Sequence, residues 1–250
     1  MTGRVTVIGL GPGDDALRTP QADAALAAAD DLIGYGPYLD RVRPRAGQRR
    51  HPSDNGAELA RARLALTLAA EGRHVAVVSG GDAGVFGMAS ALYEAVEHGP
   101  ASWAALDIDV VPGVSAMFAA AARVGAPLGH DFCAISLSDN LKSWDTICRR
   151  LRAAAEAGFV IALYNPASRT RPWQLAAAFD MLRTVLPPTT PVVFARDVAR
   201  PGERIAIVPL GEADAAEADM RTILLIGSAA TRLIAREGRP PRIYAPRSAQ

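Results

Sequence analysis

The chain alternates short apolar runs with longer stretches in which apolar residues return every three or four positions. Arg4–Leu10, Leu32–Tyr35, Val75–Ser79 and Leu106–Val111 are the runs of the first half, and each predicts a strand. Helical spacing fills the intervals. Thr19-Pro20 offers a capping hydroxyl followed by proline at the first helical position, opening a helix that runs from Gln21 to Ala29. Leu59, Ala62, Leu66 and Ala69 predict a helix within Gly56–Glu71. Val85, Met88, Leu92 and Val96 predict another, and Met117–Arg123 a small-residue helix closing at Gly125. The polar, basic stretch Arg41–Asn55 reads as a loop. Strand and helix thus alternate, the order of a parallel sheet with helical crossovers.

Gly125-Ala126-Pro127-Leu128-Gly129 reads as a linker, which divides the chain into an N-terminal α/β domain (1–124) and a C-terminal one (130–250). The second half continues with strands at Asp131–Leu137, Phe159–Tyr164, Pro191–Ala195 and Thr222–Ile226, and helices over Trp144–Ala157 and Pro172–Leu186. Arg204–Val208 alternates as a half-exposed antiparallel strand should. Arg242–Tyr244 reads as an edge strand within a proline- and arginine-rich end, 236–250, that is expected to fray. The predicted class is α/β throughout.

Composition narrows the functional classes more than it names one. With 250 residues the chain is long enough for a substantial core, and a formal net charge of +1 gives no electrostatic case for nucleic acid or a membrane surface. Lys142 is the single lysine, so 26 of the 27 basic residues are arginine. Cys133, Cys148 and four scattered histidines (His51, His74, His98, His130) show no metal-ligand or disulfide spacing. No run reaches the roughly 20 apolar residues of a membrane span, and no signal segment opens the chain. The expectation is a soluble cytoplasmic protein with no metal, no nucleic-acid partner and no membrane partner.

The chemistry concentrates in the loops that follow strands. Val75–Gly87 runs from an apolar strand into a turn carrying Gly80, Gly81, Asp82 and Gly84, where backbone without Cβ can approach a ligand closely. The same residues also suit a tight strand-to-helix turn with Asp82 as a cap. The first loop, Gly9-Leu10-Gly11-Pro12-Gly13-Asp14, invites a dinucleotide reading, but Asp14 stands where the fingerprint needs its third glycine. Pro12 also removes an N–H donor from the place of the pyrophosphate.

Taken together, Gly9–Asp14, Ser79–Asp82, Pro112-Gly113-Val114-Ser115-Ala116, Tyr164-Asn165-Pro166 and Thr222-Ile223-Leu224 resemble, in order and spacing, the class III, tetrapyrrole-type S-adenosylmethionine methyltransferases. The resemblance covers nearly the whole chain. Finer markers are Gly34-Tyr35-Gly36-Pro37-Tyr38, Gly80–Met88, Gly129–Asp139 and Tyr164–Arg169. One departure is Ala83, where that family usually has proline after its Gly-Asp pair.

The resemblance implies the tetrapyrrole methylase fold: two α/β domains with the cofactor cleft between them, in a homodimer. It implies S-adenosyl-L-methionine as methyl donor, with S-adenosyl-L-homocysteine as product. The reaction it implies is methylation of precorrin-3B at C(17), with ring contraction to precorrin-4, in cobalamin (vitamin B12) biosynthesis, or the equivalent step on a cobalt-containing substrate. The alternative is another corrin-pathway methyltransferase or the uroporphyrinogen-III methyltransferase of siroheme synthesis. Carried across motif by motif, the cofactor site comprises Pro12, Gly80, Gly81, Asp82, Val85, Ser115, Ala116, Asn165, Ala195 and Ile223. Ring contraction needs proton transfer, for which His130 is the catalytic candidate by position. Arg169, Arg171, Arg196 and Arg200, in loops at strand ends, are candidates to fork the carboxylates of the tetrapyrrole. Outside the family, the rivals are a nucleotide-dependent oxidoreductase and a non-catalytic ligand-binding protein.

Overall fold

The structure, a computed structural model, describes residues 3–168 and 170–248. The chain forms two compact units, Met1–Ala116 and Met117–Gln250.

In the first unit the predicted alternation is realised. Its elements are β1 (Arg4–Gly9), α1 (Pro20–Ala28), β2 (Asp31–Tyr35), the one-turn α2 (Gly36–Leu39), β3 (Arg49–Ser53), α3 (Glu58–Ala70), β4 (His74–Ser79), α4 (Met88–Glu97), β5 (Asp107–Val111) and the start of α5 (Ala116–Val124). The sheet has the order β3-β2-β4-β1-β5 with every pairing parallel. Strand residues alternate between two cores, as a sheet covered on both faces requires. Val5, Val7, Ile33, Val75 and Val77 pack with α3 and α4, whereas Ile8, Leu32, Ala76 and Val78 pack with Ala22 and Leu26 of α1, and with Leu39. The Thr19 hydroxyl caps α1 by accepting from the Ala22 N–H, with Pro20 at the first turn, as expected.

β3 corrects the expectation of a loop over Arg41–Asn55. Its sequence, Arg-Arg-His-Pro-Ser, has no apolar pattern because it lies at the sheet edge and pairs only with β2. Besides its backbone ladder with β2, side-chain contacts to one carboxylate bind it. Asp31, fully buried at the start of β2, is held by His51 at 2.8 Å, by Arg49 at 3.4 Å and by Arg73. A buried carboxylate needs such partners, and here they sit on β3 and just before β4.

The second unit contains β6 (Gly125–Ala126), β7 (Phe132–Ser136), α6 (Trp144–Glu156), β8 (Val160–Tyr164), α7 (Gln174–Arg183), β9 (Pro191–Arg196), β10 (Arg204–Pro209), β11 (Thr222–Ile226), β12 (Arg232–Ile234) and β13 (Arg242–Tyr244). Its main sheet, β10-β9-β11-β8-β7, is mixed: β7 and β8 are parallel, and the other pairs antiparallel. A core of Ile135, Leu151, Leu163, Phe179, Phe194 and Leu224 with their neighbours fills it.

Two expectations about this half are corrected. The units meet at Ala116–Met117, before the 125–129 segment read as a linker, and Gly125–Ala126 is a strand rather than a connection. β13 is the central strand of a three-stranded sheet, β12-β13-β6, not an edge, so part of the 236–250 end is built into the fold. Residues 249 and 250 of that end lie outside the described residues. No helix among the described residues is long and apolar enough to cross a membrane.

Candidate functional site

The carboxyl ends of β4, β1 and β5 bring three glycine-containing loops into direct backbone contact. Gly11 and Gly81 exchange N–H and carbonyl in both directions at 3.0 Å, and the Leu10 N–H donates to the Ser79 carbonyl at 2.9 Å. A Cβ on Gly113 would lie 2.3 Å from the Gly81 oxygen, and one on Gly9 would lie 2.7 Å from the Gly113 nitrogen, so glycine is obligatory where these loops cross. Gly81 differs. It has φ +68°, and a Cβ there would make ordinary van der Waals contacts at 3.8–3.9 Å, so what asks for glycine is the backbone conformation and not a clash.

Asp82 knits the loops together. One carboxylate oxygen accepts from the N–H groups of Gly84 (2.8 Å) and Val85 (3.1 Å), and the other from the N–H of Gly113 (3.0 Å). Asp82 does not cap α4, whose N-cap is Gly87 with no side-chain bond; its carboxylate holds the main chain of two loops instead. The missing side-chain cap on α4 is supplied from a distance, since the Met88 N–H donates to the Ser79 hydroxyl at 3.4 Å. Pro12 and Ser115 are buried beside these turns, and Ala116 begins α5. Pro12, Gly80, Gly81, Asp82, Val85, Ser115 and Ala116 thus belong to one end of one sheet, as the parallel topology requires.

In the second unit, Ala195 on β9 and Ile223 on β11 are register partners, and Leu224 pairs with Leu163, next to Tyr164 at the end of β8. Asn165 follows, with φ +53°, an uncommon conformation outside glycine. Its amide donates to the Ser136 hydroxyl at 2.9 Å, and its carbonyl accepts from Arg171 at 3.2 Å. These three expected cofactor residues therefore converge at one end of the sheet. His130 does not join them. It precedes β7, whose first residue Phe132 pairs with Val160 at the opposite end of β8, and its ring faces Asp131 at 3.7 Å.

The arginine expectations divide. Arg171 is 8% exposed and donates to the Asn165 carbonyl and the Met220 sulfur. Arg196 is occupied by Asp197 (2.9 Å) and Asp219 (3.0 Å). The Arg200 N–H donates to the Asp197 carbonyl. Arg169 lies outside the described residues. Among the described residues no cluster of His, Cys, Asp and Glu could hold a metal ion.

Three contacts around the first-unit loops were not read from the sequence. The Tyr38 ring lies against Gly80, where a Cβ would meet its Cζ at 2.6 Å. Arg41 reaches the carbonyls of Leu10, Gly11 and Gly13. Arg61, buried on α3, donates to the Ser53 hydroxyl, the Asp54 carbonyl and the Met88 sulfur. Burial lowers the Arg61 pKa, opposed by the charges of Glu58 and Tyr38. The only advance sign of Tyr38 was its place in the Gly34–Tyr38 marker.

The sequence profile of the tetrapyrrole (corrin/porphyrin) methylases matches residues 4–214. A Sinorhizobium sp. protein named precorrin-3B C(17)-methyltransferase is 59% identical over 247 residues, which cover 99% of this chain and 97% of that one. The cobalamin biosynthesis protein CobIJ of Mycobacterium tuberculosis strain H37Rv is 52% identical over 251 residues, and this chain spans about half of it, 48%. The crystal structure of the methyltransferase CobJ superposes with a TM-score of 0.93 at 52% identity, covering 98% of this chain and 100% of that one. With glycine loops, sheet order and both measures of likeness in agreement, the chain belongs to the tetrapyrrole (corrin/porphyrin) methylases.

Proposed function

We infer that this protein methylates precorrin-3B at C(17), using S-adenosyl-L-methionine, and yields the ring-contracted precorrin-4 in cobalamin biosynthesis. The observation that carries the reading is the 59% identity, sustained across nearly the full length of both chains, with the Sinorhizobium methyltransferase of that name. We place the enzyme in the cytoplasm as a homodimer.

The residues of the first unit fit the donor. Gly81, at a left-handed backbone conformation that a side chain would strain, puts no Cβ between the main chain of its loop and a ligand. Gly80, Gly81 and Val85, with Pro12, Ser115 and Ala116, are proposed to hold it through main-chain groups. Asp82 fixes that main chain through the three N–H groups its oxygens accept, and with an acceptor site to spare it is proposed as a donor contact with the rest. Asn165, Ala195 and Ile223 are proposed as further contacts on the strength of their motifs. When bound, S-adenosyl-L-methionine supplies an electrophilic methyl group on a sulfonium. The chain's own task is to hold donor and acceptor carbon in line and exclude water, and positioning of this kind can account for about 7–11 kcal/mol of a barrier. No protein nucleophile is required.

The test is incubation with methyl-labelled S-adenosyl-L-methionine and precorrin-3B, followed by location of the label. Label at C(17) of a ring-contracted product is the expected result. Label at another carbon, or methylation of uroporphyrinogen III in preference, would overturn the assignment.

A further inference from the structure

The marker Gly34-Tyr35-Gly36-Pro37-Tyr38 and the Arg41 that follows it supply none of the proposed donor contacts, yet they meet two donor-binding loops from the same side. Gly34 lets β2 close onto β4, since a Cβ there would lie 2.4 Å from the Val78 side chain. Pro37, in the first turn of α2, suits a helix start. The turn delivers Tyr38 onto Gly80, and Tyr35 braces the Tyr38 ring edge-on at a centroid distance of 5.4 Å. Just past the turn, one guanidinium nitrogen of Arg41 donates to the carbonyls of Leu10 (2.8 Å), Gly11 (3.0 Å) and Gly13 (3.2 Å). Three carbonyls drawn onto one cation fix the peptide planes on both sides of Pro12.

We propose that Tyr38 and Arg41 are positioning residues for the methyl donor: Arg41 sets the loop around Pro12, Tyr38 sets the loop at Gly80, and the Gly11–Gly81 bridge couples the two. They act through the backbone and touch no reacting atom. The inference rests on the reading of these loops as the donor site. Free, these glycine-rich loops would lose considerable conformational entropy on binding. Held in advance, they bind a donor that has few charged partners.

The experiment is calorimetric titration of the full-length protein with S-adenosyl-L-homocysteine, paired with steady-state kinetics. Arg41→Ala and Tyr38→Ala are each expected to weaken binding about tenfold or more, the scale of losing hydrogen bonds to a charged group or a well-packed ring. The KM for S-adenosyl-L-methionine should rise in step, while kcat at saturating donor and the KM for the tetrapyrrole change by less than about threefold. Arg41→Lys, which places three donors on one nitrogen, should recover part of the loss at an unchanged melting temperature; this variant and Tyr38→Phe carry the test if the alanine variants do not fold. Binding by a folded Arg41→Ala within about twofold of the wild type would overturn the proposal. So would parallel increases in both KM values, the sign of general loosening. A wild type that binds no S-adenosyl-L-homocysteine removes the donor site itself, a failure distinct from variants that bind as the wild type does.

Discussion

Asp82, expected among the donor contacts, also holds the main chain of its own loop and of the next. Three backbone N–H groups from two loops converge on it. Asp82→Asn keeps the shape but turns one acceptor into a donor that faces an N–H. The expected loss is about 1.5–3 kcal/mol of stability, the range for hydrogen bonds to a charged group, read by urea unfolding, with weaker S-adenosyl-L-homocysteine binding alongside. Unchanged stability with lost binding would leave Asp82 the role of donor contact alone. The glycines make a second, paired prediction. Gly113→Ala puts a methyl group 2.3 Å from a carbonyl oxygen in a crossing of main chains that cannot yield. It should cost about 3 kcal/mol or more, or prevent folding. Gly81→Ala meets no clash but a left-handed backbone, so stability should fall by about 1–2 kcal/mol. Donor affinity should fall as well, because the loop proposed to hold the donor must shift to relieve that strain. The glycine density was plain in the sequence. Which glycine is locked by a crossing of main chains and which by its own φ was not, because that depends on where distant strands end.

Elements with an apolar rhythm were legible, and those held by charge were not. β1, β4, β8 and β11 each announce themselves by a run that ends in a turn. β3 does not, because beyond its ladder with β2 it is held by side-chain contacts to Asp31 from the scattered residues Arg49, His51 and Arg73. The ends of β9 and β11 repeat the theme. There Arg196 bridges Asp197 and Asp219, and Arg221 also reaches Asp197, so an arginine that looked available for substrate is engaged by its own sheet. Burial acts to raise the Asp219 pKa, but hydrogen bonds from the Arg221 N–H, Arg196 and Thr222, with the Arg196 charge, outweigh it and hold the group below its ordinary value. A depressed folded-state pKa means the stabilisation is present above the unfolded-chain value and is lost as pH falls through the folded-state value. Asp219 is nearly half exposed, so Asp219→Asn should cost no more than about 1 kcal/mol at neutral pH. The gap from the wild type should close as pH drops below about 3–4 in a series of urea titrations. A gap that persists undiminished into acid would show that the carboxylate charge is not what the pairing uses.

Over the whole chain, each unit keeps its own core: residues between Val5 and Val111 fill the first and residues between Ile135 and Ile226 the second. The division into two α/β halves was legible because each half repeats strand-then-loop chemistry. The boundary was misplaced because Gly125 and Ala126 have the composition of a linker, and only the return of the chain end makes them a strand. That return closes the second unit: β13 comes back from the end of the sequence to pair with β6, near the unit's beginning, and Arg242 donates to the Arg123 carbonyl at 2.7 Å. Ile243, only 2% exposed, is the apolar anchor of the closure, and Ala245 donates its N–H to the Ala126 carbonyl. A frayed tail could be removed without loss, whereas this one should not be. Ile243→Ala should cost about 2–5 kcal/mol, the usual penalty for emptying a buried isoleucine site. Truncation after Ala235 removes the anchor, the ladder and the arginine contact together and should cost at least as much. Urea unfolding of the two variants beside the wild type decides it, and equal midpoints for the truncated and intact chains would mean that the closing strand contributes nothing to the second unit.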